Sequence, residues 1–235
     1  SAASDVYKRQ AFRVGVRYVS AASSLMSSHC DRVLTVTMTG HQPALGAGFG
    51  CGTIVGMDSL RPRRSVLFMP GANARALEKA RSIDCDGIII DLEDAVAPDL
   101  KVEARERAAG VVKEHPYGYR EVAIRVNGMD TQWYRDDLAA AVAAGPDAIA
   151  VPKVGSAEQV RSIVSDMEAA GADESVKLWA MIETPQAVLD CRDIAEASDR
   201  LTVLIMGTND LTKELRASHV PVSYTHLRAH ETSLH

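Results

Sequence analysis

"LIMGTNDLTKE", residues 204–214, joins an apolar run to a helix start through three polar residues. The run from Leu201 to Met206 stops at Gly207, Thr208-Asn209-Asp210 follow, and Leu211 to Leu215 reads as the opening of a helix. A buried strand that ends by presenting an acid decides the fold, because the pattern recurs along the chain. "DGIIIDLED" (86–94) ends in acids, "EVAIRVNG" (121–128) carries Arg125 and Asn127, "DAIAVPKV" (147–154) carries Lys153, and "KLWAMIET" (177–184) carries Glu183. The earliest such run, "SVLFMP" (65–70), closes on Pro70-Gly71.

Between these runs lie segments of helical spacing, at 74–83, 101–114, 132–145, 156–171 and 185–198. In the fourth, Ser156 is the expected N-cap, Gln159 stands at the capping-box position and Gly171 at the C-terminal stop. Pro185 belongs in a first helical turn. Near-continuous Val/Ile/Leu strands separated by helices predict a parallel sheet covered on both faces. A doubly wound open sheet would concentrate its chemistry at one switch point. Polar residues at the C-terminal end of almost every strand instead predict an α/β fold of the (β/α)8 TIM barrel type. About six βα units are visible, so the barrel is expected to be incomplete.

With 235 residues, 46% of them hydrophobic, the chain can bury one sizeable core. A net charge of −5 gives no basic footprint for nucleic acid. No stretch reaches the roughly 18–20 apolar residues of a membrane helix. The four cysteines form no C-x-x-C pair, which argues against a zinc or thioredoxin-type site and for a reducing, cytoplasmic setting. Cys85 and Cys191 read as structural thiols. Residues 1–56 carry neither a helical nor a strand period and are expected to be a non-native or disordered extension. The acid-free stretch 6–30, with Lys8, Arg9, Arg13 and Arg17, offers mitochondrial targeting as an alternative. "GAGFGCG" (46–52) fails the dinucleotide pattern, since Cys51 occupies the last glycine position. "SAASDVYKRQ" (1–10) and "VSYTHLRAHETSLH" (222–235) resemble translated adapter sequence, so residues 57–221 are expected to form a partial lyase-type barrel domain and 222–235 a non-native tail. The histidines His219, His226, His230 and His235 fall in or beside that tail and are not taken as a metal site.

Glu183 and Asp210 follow strands five and six and would be neighbours. Two adjacent carboxylates repel unless something positive lies between them, and a hard divalent cation fits. Capping of the following helices competes, and spacing alone leaves the two level. Arg125 tilts the balance: a long cation inside a strand needs a polar cavity or a partner. Its fork suits a carboxylate or a developing enolate, with an ion pair to Glu93 or Asp94 in the free protein. "DLEDAV" (91–96) supplies Asp91, Glu93 and Asp94, and alternation prevents all three from facing one cavity. One should reach water around the cation and another be structural. Arg64 is a candidate for an anionic substrate end, with a solvated role competing. For Lys153, a salt bridge to a neighbouring acid is expected over a Schiff base.

As an ordered set, "RSVLFMPG", "DLEDAV", "IRVNG", "VPKV", "IET" and "GTNDL" resemble the citrate lyase beta-subunit-like family of the HpcH/HpaI aldolase group, in the pyruvate/phosphoenolpyruvate barrel superfamily, over Arg63–Ala217. The resemblance implies a Mg2+-dependent carbon–carbon lyase, with Mn2+ as a substitute, that cleaves a 3-hydroxyacyl-CoA thioester of the citryl, malyl or citramalyl kind by retro-aldol or retro-Claisen chemistry. Its alternatives are a 2-keto-4-hydroxy acid aldolase and an inactive fragment or structural subunit. Glu183 and Asp210 match the metal ligands, and Arg125 matches the catalytic, substrate-binding arginine. Arg64, Glu93, Asp94 and Glu183 complete the implied substrate site. The implied partners are a small hydroxy acid or its CoA thioester and, at full length, further copies of the chain, with no nucleic acid and no membrane. Two departures stand out. Asn209 replaces an acid common among relatives, and the last barrel units, with a C-terminal segment that supplies a catalytic acid in several relatives, are expected to be missing.

Overall fold

The computed structural model describes residues 63–217 and two short strands before them, β1 (Arg17–Val19) and β2 (Val33–Thr37). The glycine-rich 46–52, the rest of the basic stretch 6–30 and the histidine-bearing tail lie outside the described residues. No helix among the described residues is long and apolar enough to cross a membrane.

From Val66 the strand–helix beat appears as the sequence predicts. The order is β3 (Val66–Pro70), α1 (Ala74–Ala80), β4 (Gly87–Asp91), α2 (Lys101–Lys113), β5 (Glu121–Arg125), α3 (Tyr134–Ala144), β6 (Ala148–Val151), α4 (Ala157–Ala169) and β7 (Lys177–Ile182). Two short helices, α5 (Pro185–Leu189) and α6 (Cys191–Ala195), precede β8 (Leu201–Gly207) and α7 (Thr208–Glu214). The single helix expected over 185–198 is thus broken, at Asp190, whose backbone leaves the helical region at φ −90°, ψ 10°. Ser156 caps α4 by accepting from Gln159 N, and Gly171 takes φ 83° beyond its end.

Each of β3 to β8 pairs in parallel with its sequence neighbour. The order runs β3-β4-β5-β6-β7-β8 without the reversal that marks a doubly wound sheet. This is an incomplete (β/α) barrel of six parallel strands with helices between them. Along the far edge of β8, β2 lies antiparallel, from Val33↔Gly207 to Thr37↔Val203, and β1 pairs with β2. No strand is predicted there from sequence. An open row of backbone donors and acceptors on β8 recruits strands irrespective of their pattern.

Strand alternation divides the core in two. Val66, Ile89, Ala123, Ala148, Ala150, Trp179, Met181, Val203 and Ile205 pack together on the inner face, with Phe68 against them. Their neighbours in sequence, such as Ile88, Ile90, Ile124, Ile149 and Leu178, pack outward with the helices. At the N-terminal end of the strands, Arg63 lies over the Trp179 ring at 5.6 Å and its guanidinium pairs with Glu121. That end is therefore closed by packing, and the opposite end is left for chemistry.

Candidate active site

The inner-face parity that places Ile89, Ala123 and Met181 in the core carries Asp91, Arg125 and Glu183 to the C-terminal ends of their strands. Arg125, the last residue of β5, is 3% exposed. Its Nε and Nη2 donate to the two oxygens of Asp91, both at 2.6 Å, and its guanidinium carbon lies 5.1 Å from the centre of the Phe68 ring. Burial alone would lower the Arg125 pKa, but the Asp91 carboxylate outweighs it and the net shift is upward. Asp91 also accepts from the backbone N–H groups of Glu93 at 2.8 Å and Ala95 at 3.0 Å. The "DLED" segment is therefore wound around one carboxylate, a local turn that Asp side chains favour. Asp91 takes the structural share of the three acids. The ion pair expected with Glu93 or Asp94 forms with Glu93, a two-point pair with Asp91 stands beside it, and Asp94 is exposed.

Glu93 faces the loose end of the same guanidinium. Its Oε2 lies 2.9 Å from Arg125 Nη1, yet the geometry is not that of a hydrogen bond and the oxygen is buried without one. Burial raises the Glu93 pKa to about 7, with Arg125 opposing and Asp94, Glu183 and Asp91 reinforcing. A raised acid favours the fold while protonated. That contribution is complete below the ordinary carboxylate range and is lost as pH rises through about 7, a difference of about 3 kcal/mol. Glu93→Gln should therefore leave urea stability near that of the unmodified chain at pH 4.5 and raise it by about 2–3 kcal/mol at pH 8 without divalent metal. Equal effects at the two pH values would refute the assignment.

Glu183, 3% exposed, follows β7 and accepts from Lys153 N at 3.0 Å. Lys153 reaches it by adopting a left-handed backbone, φ 56°, at a cost of about 1–2 kcal/mol for a residue with a Cβ. Its exposed ammonium lies 3.8 Å from Glu93 Oε1, the salt bridge expected in place of a Schiff base. Gly207 is packed so closely that an added Cβ would fall 2.4 Å from Glu183 Cγ. Burial raises the Glu183 pKa, Arg125 and the Lys153 N–H oppose, and Asp210 adds to it. Asp210 stands half-buried in the first turn of α7. Neither acid is a helix cap: Thr184 caps α5 by accepting from Ala187 N, and Gly207 occupies the cap position of α7. Among the described residues no group of three or more His, Cys, Asp and Glu forms a complete cage. Two carboxylates are the usual protein share for a hard cation that keeps waters and substrate oxygens.

Arg64 does not join this cluster. It precedes β3, is 62% exposed at its side chain, and pairs with Asp86 at 2.7 Å at the N-terminal end of the sheet. A residue before a parallel strand and one after it lie on opposite faces, so the substrate role expected for Arg64 is corrected. Asn127 is turned away from the acids and bonds Leu92 O at 3.0 Å and Asp137 Oδ2 at 2.5 Å. Lys101, on which sequence reasoning placed no role, is 5% exposed beneath the "DLED" turn. Its burial lowers its pKa, against the pull of Asp91, Glu93 and Asp137.

A family model described as HpcH/HpaI aldolase/citrate lyase matches residues 64–234. A (3S)-malyl-CoA thioesterase of Cereibacter sphaeroides (strain KD131 / KCTC 12085) is 49% identical over 163 residues, covering 68% of this chain and 54% of the relative. The citrate lyase subunit beta of Escherichia coli (strain K12) is 35% identical over 166 residues, covering 68% and 55%. Among solved structures, the citrate lyase beta subunit of M. tuberculosis, complexed with oxaloacetate and magnesium, is 26% identical, with a TM-score of 0.52 and 70% of each chain covered. The chain spans about half the length of the curated relatives it matches.

Proposed function

The chain belongs to the HpcH/HpaI aldolase/citrate lyase family, and we propose that its site serves the Mg2+-dependent cleavage of a carbon–carbon bond in a 3-hydroxyacyl-CoA thioester. The observation that carries this reading is the buried Arg125, locked by Asp91 and set among Glu93, Glu183 and Lys153. The residues fit the cation: Glu183 and Asp210 are hard oxygen donors, and the buried Glu93 Oε2 lacks a hydrogen-bond donor that water beside the cation would provide. When bound, Mg2+ supplies Lewis-acid polarisation of a substrate oxygen.

Arg125 does the rest of the charge work. Asp91 fixes its Nε and Nη2, while Nη1 faces Glu93 Oε2 at 2.9 Å and Met181 Sδ at 3.9 Å and is the nitrogen left to meet an anionic substrate oxygen. Phe68 and Met181 exclude water around the guanidinium, so its charge acts at low effective dielectric. In the cleavage, the hydroxyl gives up its proton and becomes a carbonyl, and the bond to the neighbouring carbon breaks. The electron pair passes to the acyl fragment as an enolate facing Arg125, and a proton quenches it. Glu93, with a pKa of about 7, holds or releases a proton at Oε2 beside that guanidinium.

One relative, 49% identical, is named a thioesterase, which favours a second reading: hydrolysis of the thioester. Incubation with (3S)-malyl-CoA and Mg2+ separates the two. Carbon–carbon cleavage releases glyoxylate and acetyl-CoA with no free thiol. Hydrolysis releases malate and the CoA thiol. Release of neither product overturns both readings. Asp210→Asn should weaken Mg2+ binding about tenfold in calorimetry, since it removes one of two charged oxygen ligands. Unchanged affinity would take Asp210 out of the site.

A further inference from the structure

We infer that Lys101 is a positioning residue: its ammonium fixes the backbone of Glu93 and, through that turn, the aim of Arg125. This rests on the reading that Arg125 receives the substrate's anionic oxygens. Lys101 Nζ spends all three donors, on Leu92 O, Glu93 O and Asn127 Oδ1, each at 2.7 Å. The two carbonyls belong to the peptide groups on either side of the Glu93 Cα. The first of these peptides is also held at its N–H, which donates to Asp91 Oδ1. Both dihedrals of Glu93 are thereby constrained from opposite sides, by a cation behind the turn and a carboxylate within it. That carboxylate is the one that grips Arg125 at two points.

The rear of the ammonium is anchored as firmly as the front. Asn127 Nδ2 passes the connection to Asp137, which is fully buried and accepts from Arg105 Nε at 2.7 Å. The Trp133 ring lies 5.3 Å from Nζ and shields it from solvent. Three acceptors converging on one point suit a compact ammonium with rotatable donors and not the flat fork of an arginine. Lys101 touches no residue assigned to the metal and meets the substrate residues only at the backbone carbonyl of Glu93, so its influence passes through the Glu93 turn and Arg125.

The test uses the full chain, with Mg2+ alone and with oxaloacetate in saturating Mg2+ as probes, both followed by calorimetry. In Lys101→Met, oxaloacetate affinity should fall about tenfold or more while Mg2+ affinity stays within about threefold, the size of effect known for outer-shell partners. Lys101→Gln, which keeps part of the donor set, should lose less and serves if the methionine variant does not fold. In an Arg125→Met background, the Lys101 substitution should change oxaloacetate affinity no further. A loss of equal size in that background, or a parallel loss of Mg2+ affinity, shows general loosening and overturns the inference. Unchanged oxaloacetate affinity in both Lys101 variants also overturns it. The reading beneath it fails separately, if Arg125→Met alone leaves oxaloacetate binding intact or if the unmodified chain binds none.

Discussion

Arg125→Met is expected to lower the unfolding free energy by about 3–5 kcal/mol at pH 8, because it strands buried acids without their cation. Asp91 is 1% exposed, and the two backbone N–H groups that its oxygens also accept do not neutralise its charge, so at that burial no solvent can replace the lost guanidinium. Glu93, whose pKa Arg125 holds down, would rise further and take up a proton. The sign with pH follows. At pH 5 Glu93 is already neutral in the unmodified protein, so its share of the loss disappears and the penalty is smaller. Methionine conserves most of the volume, which keeps a cavity term from explaining the result. Adding Asp91→Asn to Arg125→Met should recover part of the stability, since the amide oxygen can still accept one backbone N–H while the stranded charge is gone. Urea titrations at pH 5 and pH 8 measure all of this. A loss below about 1 kcal/mol at pH 8 would mean the pair is worth no more than a surface one.

The position of Arg125 could be read from sequence because a long cation inside "AIRVN" has few places to go. Its partner could not. Asp94 and Asp91 are both close in sequence to Glu93, and only the turn wound around the Asp91 carboxylate decides which one faces inward. The strand ends were legible for a simple reason: parallel strands buried on both faces run as unbroken apolar stretches, and a polar residue marks where burial stops. Arg64 was misplaced for want of that same rule, since it precedes its strand and therefore sits at the closed end with Asp86. Of the neighbouring basic residues Arg63, not Arg64, is the half-buried one, through Glu121 and the Trp179 ring. Lys101 had no signal at all. It reads as an ordinary polar residue opening a helix, and its acceptors come from a loop eight residues back and a strand end 26 residues on. Side-chain networks of that kind exist only once the topology has brought the pieces together.

Gly207→Ala is expected to cost about 10–100-fold in Mg2+ affinity, the range for losing the support of a metal-binding side chain, although Gly207 contributes no ligand. The backbone at Gly207 has φ −83° and ψ 83°, which alanine tolerates, so the effect must come from contact and not from lost conformational freedom. The added Cβ would lie 2.4 Å from Glu183 Cγ, 2.6 Å from its Oε1 and 2.9 Å from its Cδ. Pairing of Ile182 with Met206 holds the two strands in register just below, so the strands cannot part to relieve the clash. The Glu183 side chain has to swing away, and its bond from Lys153 N breaks with it. Overpacking of this sort also costs about 1–3 kcal/mol of stability. Shortening the displaced acid should reverse the damage. Glu183→Asp in the Gly207→Ala background removes the methylene that meets the new Cβ and should regain part of the metal affinity, whereas Glu183→Asp alone should lose some. Titration of Mn2+ followed by electron paramagnetic resonance gives the affinities directly. If Gly207→Ala binds the ion within about threefold of the unmodified chain, the outer-shell magnitude does not apply here, and Glu183 is not the ligand that Gly207 makes room for.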